Sequence, residues 1–524
     1  MRSSKWIALA LVVMALMSLP AAYLLLGLQS SLEEYRPARQ PNAPATVSPA
    51  DAGAPSSGVV LVVIDGLRDD VSQKMPYLYE LRKTAAYGTM RSGQPSFSKP
   101  SYTVISSGAW QEVTGIVLNS SVGPTAVDTI FRSARRTGLR VAMDAHEWWE
   151  EVNGASAFDQ VLKYGDDLSH DPAVDPTVRD RALQLLNSPQ PPTLTVIHFT
   201  WVDTQGHAHG AASKEYLDAA LAIDAYLKDI VAAVDLSRQT LMITADHGHL
   251  SHNNGGGSGH GGWEPELTTV PFVMLGAGVK PGQASSLCQV DVAPTIAALL
   301  GIAVPADAQG RILWDSLVVT NDYKARYESS ENARLAAVQS AEVAREARLR
   351  KERTVRAVIA TALLAVGSYF LSRTAKPIRR TVLTAAALYP VAYYLAYAVA
   401  LRNPFSLAAF PDASVMTFVK IICLPVVLAI AFVYLAVGLL MPLPRHGGGP
   451  GLPGTLTAAN LGAMLAALVV YGVGYVANGA RVTWCLPDFL LGFLQLSALL
   501  QFAVIGLLGW IAPAVSTAVG RARR

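Results

Sequence analysis

The sequence predicts an α/β domain, with a parallel or mixed sheet sandwiched by helices, joined to an α-helical transmembrane region. Two observations predict this combination. Short β-branched runs alternate with helical patterns between residues 58 and 320, as expected for strands buried on both faces of a sheet. Apolar runs of about 20 residues, the length that spans a hydrocarbon core, dominate residues 355–515.

The composition excludes some classes of function. Charged residues make up 15% of the 524 residues, and the formal net charge is +3. Nucleic-acid-binding domains usually carry a strongly basic face, and no basic stripe stands out in the globular part, so we expect no nucleic-acid partner. Cys288, Cys423 and Cys485 are scattered along the chain. They offer neither a disulfide framework nor a cysteine zinc site, so any metal must use His and carboxylate ligands.

Six membrane spans are expected. Arg2 and Lys5 precede an apolar run within residues 1–30 that we interpret as an uncleaved signal anchor. The five later spans are expected near 355–372, 381–401, 415–441, 456–477 and 487–513. Most basic residues of the short loops, and a basic cytoplasmic tail at 516–524, lie on the side of Arg2. We therefore expect a multi-pass membrane protein whose globular domain faces the periplasm, the extracellular space or an organelle lumen.

Two segments connect the globular domain, residues 58–320, to these spans. Residues 31–57 are rich in Pro, Ala and Ser, which predicts a flexible or extended linker. Residues 321–354 are highly charged, and basic residues crowd the stretch from Arg345 to Arg356. We interpret this segment as a helical stalk near lipid headgroups, so membrane lipids are an expected partner.

The strongest strand signal is a continuous β-branched run that ends at Asp65. Strands are expected at Val59–Ile64, Leu194–Phe199, Thr240–Thr244 and 270–275, and a helical pattern covers 214–234. In parallel sheets, binding sites form beyond the carboxyl ends of the strands. Asp65, Asp203 and Asp246 each closely follow one of these strands. Each alone could be a turn former or a helix N-cap.

Histidines near these aspartates point to metal binding. His207 follows Asp203, His247 directly follows Asp246, and His260 sits in a run of glycines that can bring backbone close to an ion. Carboxylate and imidazole ligands suit zinc, and two sets of three such ligands would complete a two-metal site.

A series of motifs runs through residues 58–310. They are VVIDGLRDD at 62–70, PSFSKPSYTVISSG at 95–108, TGIVLNS at 114–120, VDTQGHAHG at 202–210, TADHGH at 244–249, GSGHGGWEPELTTVPFVMLGAGV at 257–279 and QVDVAPTIAALLGIAVP at 289–305. These motifs, in this order, resemble the alkaline phosphatase superfamily, particularly its type I phosphodiesterase/nucleotide pyrophosphatase branch and the glycosylphosphatidylinositol ethanolamine-phosphate transferases. The resemblance implies an alkaline-phosphatase-like fold and two Zn²⁺ ions.

The resemblance also implies a role for each matching residue. One zinc would be held by Asp203, His207 and His260, and the other by Asp65, Asp246 and His247. Mn²⁺ can occupy the same ligand set.

Ser98 would be the nucleophile and would also contact a metal. It stands where the phosphodiesterase branch usually has Thr. Pro100 suits an early helix position, so Ser98 lies where a helix N-terminus favours an anion. Asn119 matches a position that helps to hold phosphate oxygens.

Further polar residues have two readings. His209, His249 and His252 could touch substrate or metal, but such histidines are more often solvated or support a ligand, and we leave them out of the metal set. The group Asp144, His146, Trp148 and Trp149 follows a strand expected at 140–143 and either lines the substrate pocket or packs in the core.

The expected function is a phosphodiesterase or phosphotransferase whose phosphate-ester substrate is a phosphodiester or a lipid headgroup, because the spans hold the site near lipid. A phosphomonoesterase is the alternative. A sulfatase needs Arg where Tyr102 stands in the Ser98-x-Pro-x-Arg pattern, and a non-catalytic lipid-binding scaffold would not need an intact set of ligands and nucleophile.

Overall fold

The computed structural model describes residues 53–252, 259–403, 415–440, 451–480 and 489–522, together with scattered single residues elsewhere. The predicted signal anchor at 1–30 and linker at 31–57 lie largely outside the described residues. The chain divides into two compact units. A sheet unit comprises 32–344 with 407–412, and a helical unit comprises 1–31, 345–406 and 413–524.

The sheet unit is built on a mixed sheet with nine strands among the described residues. They are β1 Val59–Ile64, β2 Ala86–Arg91, β3 Val141–His146, β4 Gln160–Tyr164, β5 Leu194–Phe199, β6 Thr240–Thr244, β7 Thr269–Gly276, β8 Gly282–Gln283 and β9 Leu287–Cys288. Their order is β4-β3-β5-β1-β6-β7-β2-β8, with β9 also paired to β2. The run from β4 to β6 is parallel, whereas β7 is antiparallel to both of its neighbours. The predicted fold class is confirmed.

Helices connect the strands of the sheet unit. They are α1 Asp69–Ser72, α2 Pro76–Leu81, α3 Ser98–Ser107, α4 Gln111–Thr114, α5 Ile130–Arg136, α6 Trp148–Asn153, α7 Val174–Leu186, α8 Trp201–His209, α9 Lys214–Ala233, α10 Pro265–Thr268 and α11 Val292–Leu300. Short 3₁₀ turns occur at Ala155–Ala157, Gln289–Asp291 and Trp314–Ser316.

Strand β1 lies at the centre of the core and positions the candidate site. All of its residues are at most 2% exposed, because β5 and β6 flank it and Val62 pairs with Ile197 on one side and Ile243 on the other. Burying each such side chain contributes roughly 1.5–3 kcal/mol. Since β5, β1 and β6 are adjacent and parallel, their carboxyl ends meet at one edge of the sheet.

The helical unit and the segment that leads into it contain long helices. They are α12 Asn321–Ser372, α13 Lys376–Tyr394, α14 Val415–Leu440, α15 Gly451–Asn478 and α16 Phe489–Ala522, and a π-helical turn, Leu395–Ala400, extends α13. Within the described residues, five helices are long and apolar enough to cross a membrane. The predicted stalk and second span form one continuous helix, and the last helix runs past the predicted end of its span at 513.

Polar side chains join helices inside the helical unit. The hydroxyl of Tyr389 donates to Oε1 of Gln501 at 2.9 Å, and the hydroxyls of Tyr393 and Ser497 lie 2.9 Å apart. A Cβ on Gly462 would lie 2.3 Å from the carbonyl oxygen of Val382, so only glycine lets α13 and α15 approach this closely.

Candidate metal centre

The predicted metal ligands converge at the edge where β1, β5 and β6 end. Asp65 directly follows β1, Asp203 lies in the first turn of α8 after β5, and Asp246 follows β6. The potential ligand atoms form two groups, each within 4.8 Å: Asp65, Asp246 and His247 in one, and Asp203, His207, His249 and His260 in the other. The structure thus brings all six predicted ligands together in the predicted two sets, and it adds His249 to one of them.

Two distances in the three-residue group are close to those expected between metal ligands. Nε2 of His247 lies 3.4 Å from Oδ1 of Asp65 and 3.3 Å from Oδ2 of Asp246. Tetrahedral ligands about 2.0–2.1 Å from a zinc are about 3.3 Å apart. Both of these carboxylate oxygens are buried without a hydrogen-bond partner in the described part of the chain. Unpaired buried carboxylate oxygens are costly, so the donor set fits a cation.

Hydrogen bonds to the other carboxylate oxygens aim these two aspartates. Oδ1 of Asp246 accepts the backbone N–H of Gly66 at 3.0 Å and that of His247 at 2.8 Å, which leaves Oδ2 for a metal. Oδ2 of Asp65 accepts a short hydrogen bond from the Tyr102 hydroxyl, and Nε2 of His198 lies 3.2 Å from the same oxygen.

The two carboxylates repel each other in a buried setting. Burial raises the pKa of Asp246 well above its usual value, and the nearby Asp65 raises it further. Burial and Asp203 also act to raise the pKa of Asp65, but His198 and His247 outweigh them and the net pKa is lowered. A bound cation would relieve this repulsion and favour the ionised form of both.

The second group is organised by helix α8. Asp203 and His207 are four residues apart and therefore share a face of the helix, with Nε2 of His207 3.1 Å from Oδ2 of Asp203. Nε2 of His260 lies 3.2 Å from Nε2 of His207. Burial acts to raise the pKa of Asp203, yet the surrounding histidines hold it well below its usual value.

Backbone carbonyls fix the orientation of two candidate ligands. Nδ1 of His260 lies 3.1 Å from the carbonyl oxygen of Ser96, and Nδ1 of His247 lies 3.1 Å from that of Gly248. A ring nitrogen that donates to a carbonyl leaves the other nitrogen free of its proton, and this is the usual arrangement of metal-binding histidines. The Nε2 atoms of both side chains face the ligand groups.

His249, which the sequence prediction leaves out of the metal set, lies within the four-residue group. Its Nε2 lies 3.2 Å from Oδ1 of Asp203, and its side chain is fully buried. Burial lowers the pKa of His249 to about 4, so the imidazole is neutral at pH 7 and able to bind a metal. His209 and His252, the other two histidines left out of the predicted metal set, are exposed to solvent.

Ser98 is the first residue of α3 and points at the three-residue group. Its Oγ lies 3.1 Å from Nε2 of His247, and the residue is only 4% exposed. Asn119 is adjacent, because its Oδ1 accepts the backbone N–H of Lys99 at 3.1 Å. The predicted nucleophile and the predicted phosphate-binding residue are therefore both brought to the start of this helix, where anions are favoured.

The polar and aromatic group after β3 divides between pocket and core. Trp149 is fully buried and stacks on Tyr102, with ring centroids 4.8 Å apart, and Asp144 is buried in an ion pair with Arg181. Trp149 and Asp144 therefore pack in the core and do not line the cavity. Trp148, in contrast, lines this cavity of about 580 Å³, which also includes Lys99 and Asn119.

That cavity is lined by Lys99, the residue that follows Ser98, and by Glu150 and Glu151, so its walls are charged. The Lys99 side chain is 6% exposed and forms a short ion pair with Glu151. Its ammonium also lies 5.6 Å from the centre of the Trp148 ring. A polar substituent on a phosphate at Ser98 would find both charge and an aromatic face here.

Sequence reasoning missed two residues that support Asp65. His198 lies within the buried apolar run of β5, where a polar residue is unusual and could have served as a signal. Tyr102 had no comparable signal, because only the folded chain shows its hydroxyl at Asp65.

Comparison with known proteins identifies one family model and several similar sequences. The family model described as Type I phosphodiesterase / nucleotide pyrophosphatase matches residues 59–256. The chain is 24% identical over 309 residues to GPI ethanolamine phosphate transferase 1 of Mus musculus, covering 49% of this chain and 32% of that protein. It is also 24% identical over 324 residues to the Homo sapiens protein of the same name, covering 52% and 34%. The matched region thus spans about a third of these relatives.

Among solved structures, murine ectonucleotide pyrophosphatase / phosphodiesterase 5 aligns with a TM-score of 0.40 at 14% identity, over 47% of this chain and 96% of that one. A 2-O GAG sulfatase aligns with a TM-score of 0.41 at 17% identity, over 50% and 74%.

The sheet unit is thus an α/β domain with a candidate metal site at the edge where β1, β5 and β6 end. Residues 59–256 match the type I phosphodiesterase / nucleotide pyrophosphatase family model, as the motifs predict.

Proposed function

We propose that this chain is a membrane-anchored, metal-dependent phosphodiesterase or phosphotransferase that uses Ser98 as its nucleophile, outside the cytoplasm. The observation that carries the proposal is the position of Ser98 Oγ, 3.1 Å from Nε2 of His247 at the start of helix α3. The family match supports a phosphoric ester as substrate. The names of the curated relatives support transfer of a phosphoethanolamine-type group.

The proposed cofactors are two zinc ions, with Mn²⁺ as an alternative. Asp65, Asp246 and His247 would hold one, and Asp203, His207 and His260 the other. When bound, these metals supply positive charge that favours the alkoxide of Ser98 and stabilises charge on the phosphate oxygens.

The reaction follows from the place of Ser98. Its Oγ forms a bond to phosphorus while the bond from phosphorus to the leaving oxygen breaks. Ser98 loses its hydroxyl proton in this step, and the leaving oxygen gains one to depart as an alcohol. The covalent phosphoserine is then attacked by a second oxygen, from water in a hydrolase or from an alcohol in a transferase. This oxygen gives up its proton as Ser98 regains one.

The surrounding residues hold the substrate. Asn119 has its Oδ1 fixed by the Lys99 backbone N–H, so its amide nitrogen is the group that can donate to a phosphate oxygen. The cavity beside Lys99, Trp148 and Glu151 would receive the organic group that stays on the phosphate. Its charged lining suits a polar headgroup better than an acyl chain.

The five apolar helices support a substrate at the membrane. A lipid-linked phosphodiester would reach the site without leaving the membrane surface, whereas an enzyme for soluble phosphate esters gains nothing from several spans. The proposed substrate is therefore a phosphodiester or a lipid headgroup.

The test is hydrolysis of bis-p-nitrophenyl phosphate against p-nitrophenyl phosphate by the full-length chain purified in detergent with zinc. We expect preference for the diester and a loss of at least about a thousandfold in Ser98→Ala, as is typical for removal of a nucleophile. Asp246→Ala is expected to lose activity as well. Addition of an alcohol acceptor separates transfer from hydrolysis, because a transferase would form the mixed phosphodiester.

Ser107→Ala is the matched control, because Ser107 is a buried serine at the other end of the same helix. It should keep its activity. Preference for the monoester would replace the proposal with a phosphomonoesterase. A folded, zinc-supplied chain that binds no metal and cleaves neither ester would instead support a non-catalytic scaffold. Cleavage of a sulfate ester is not expected, because the hydroxyl of Tyr102 is bonded to Asp65 at the position where the sulfatase pattern has Arg.

A further inference from the structure

Two glycines form a slot for the imidazole of His249. A Cβ on Gly206 would lie 2.4 Å from Cδ2 of His249, and a Cβ on Gly259 would lie 2.0 Å from its Cε1. Both distances are far below van der Waals contact, and Gly259 also has a φ of +78°, which favours glycine. The backbone on two sides therefore leaves room for this ring beside Asp203.

The ring is buried without a conventional partner. His249 is 0% exposed, and neither ring nitrogen has a hydrogen-bond partner within the described part of the chain. Leaving a buried donor or acceptor unpaired costs about 1–3 kcal/mol. Oδ1 of Asp203, the closest acidic oxygen at 3.2 Å, also lacks a hydrogen-bond partner there. Two buried potential ligand atoms thus face each other at ion-pair distance, and neither has another hydrogen-bond partner in the described part of the chain.

Three distances within the group are close to those between metal ligands, and they involve both oxygens of Asp203. The Nε2 atoms of His207 and His249 lie 3.1 Å and 3.2 Å from oxygens of Asp203, and the Nε2 atoms of His207 and His260 are 3.2 Å apart. The distance from His260 Nε2 to Asp203 Oδ1 is longer, at 3.8 Å. Tetrahedral zinc ligands are about 3.3 Å apart.

We infer that His249 is a fourth protein ligand, so that Asp203, His207, His249 and His260 form a closed metal site. The other group offers only three residues, and Ser98 Oγ lies 3.1 Å from one of its candidate ligand atoms, Nε2 of His247. Closed four-residue sites are typical of structural metals, whereas catalytic sites keep an open position. The two halves of the centre therefore hold their metals unequally: the four-residue half retains its metal, and the half at Ser98 exchanges it.

This inference rests on the proposed function only for its metal requirement, and its test needs no turnover. The zinc-loaded full-length chain in detergent is dialysed against buffers of decreasing free zinc, and the zinc bound per chain is measured by elemental analysis. We expect two metals, then a plateau at one, then none. Loss of a residue that only hydrogen-bonds to a metal ligand costs about 10–100-fold in metal affinity. His249→Ala should therefore lower the affinity for the retained metal at least tenfold and shorten the plateau.

Two further variants make the result specific. His252→Ala removes an exposed histidine three residues away and should leave the plateau unchanged. Gly206→Ala keeps His249 but places a methyl group in its slot, and it should weaken the retained metal as His249→Ala does. A plateau of unchanged length in both His249→Ala and Gly206→Ala would overturn the inference. Loss of both metals in a single step from the unmodified chain would also overturn it.

Cobalt provides a readout that does not depend on the variants folding. The first equivalent of Co²⁺ added to the metal-free chain should give the intense visible absorption of four-coordinate cobalt. Weak absorption, as from a six-coordinate ion, would contradict a closed site. If the chain binds cobalt in this way but cleaves no ester, the proposed function fails while the four-residue site stands.

Discussion

The Oγ of Ser98 lies 3.1 Å from Nε2 of His247, although the two residues are far apart in the sequence. Ser98 begins a helix, and His247 follows strand β6. Because Asp65 and Asp246 surround the same imidazole, the serine hydroxyl faces a group with the donors and spacing of a metal site. This relationship places the proposed nucleophile, a candidate metal group and a helix N-terminus at one point.

Removal of metal is expected to destabilise the sheet unit. Without a cation, the carboxylates of Asp65 and Asp246 repel each other and keep unpaired buried oxygens. A ligand that binds only the folded chain stabilises it by about 4 kcal/mol at a thousandfold excess over its Kd. We expect the zinc-loaded chain to unfold several degrees above the chelator-treated chain when circular dichroism is followed on heating. A double variant, Asp203→Ala with Asp246→Ala, should show no zinc effect, and equal melting of the loaded and stripped native chain would count against a metal centre.

Tyr102→Phe is expected to weaken metal binding with little loss of folding stability. The substitution removes the hydroxyl that bonds to Asp65 but keeps the ring stacked on Trp149. Loss of such a partner typically costs about 10–100-fold in metal affinity or activity. Zinc affinity and thermal unfolding of the metal-free chain measure the two effects separately. Tyr323→Phe, which removes a buried hydroxyl bonded to the Ala298 carbonyl, is the control and should leave zinc affinity unchanged.

Trp148→Ala is expected to reduce the preference for diesters. The ring forms one wall of the cavity beside Ser98 and lies 5.6 Å from the ammonium of Lys99. We expect KM for a diester to rise about tenfold, equivalent to roughly 1.4 kcal/mol, with a smaller change for a monoester, which has no second substituent. Trp314→Ala is a matched control, because that ring lies 5.9 Å from the ammonium of Lys324. Equal changes for both substrates would show that the cavity does not receive the second substituent.

Asp144 is expected to make the stability of the sheet unit fall as pH rises from about 4 to 6. Burial raises the pKa of Asp144 from 3.8 to about 6, although Arg181 opposes the shift. The folded chain therefore keeps this proton to a higher pH than the unfolded chain, and the stabilisation present below pH 4 is lost as the pH passes 6. The loss is at most about 3 kcal/mol, since one pKa unit corresponds to about 1.4 kcal/mol.

The measurement is the melting temperature of the native chain relative to Asp144→Asn across this pH range. The melting temperature of the native chain should fall relative to that of Asp144→Asn as pH rises. Asp180→Asn, at an exposed aspartate paired with Arg179, should give a curve parallel to the native one. If the Asp144→Asn curve is also parallel, the buried carboxyl does not titrate in this range.

Much of the site could be predicted from the order of strands and polar residues. A β-branched run that ends in Asp65 predicts a buried strand with a carboxylate at its carboxyl end, and β1 has this form. The same pattern holds for Asp246 after β6. Because parallel strands bring their carboxyl ends to one edge, local sequence was enough to expect that these side chains meet.

Other features could not be read from the sequence, because they depend on contacts between distant segments. His249 looked like one solvated histidine among several, and its burial depends on Gly206 and Gly259, whose approach only the folded chain shows. Tyr102 and His198 support Asp65 for the same reason.

By itself, the sequence determined the α/β class, the apolar helices and the strand-end positions of the proposed ligands Asp65, Asp203 and Asp246, since hydrophobic periodicity and strand-end position are local properties of the chain. Only the tertiary structure decided which side chains gather in each of the two candidate groups and which oxygens of Asp65 and Asp246 are left without a hydrogen-bond partner in the described part of the chain. Those features depend on distances of about 3 Å between side chains, which are fixed by the packing of glycines, histidines and backbone amides from separate elements.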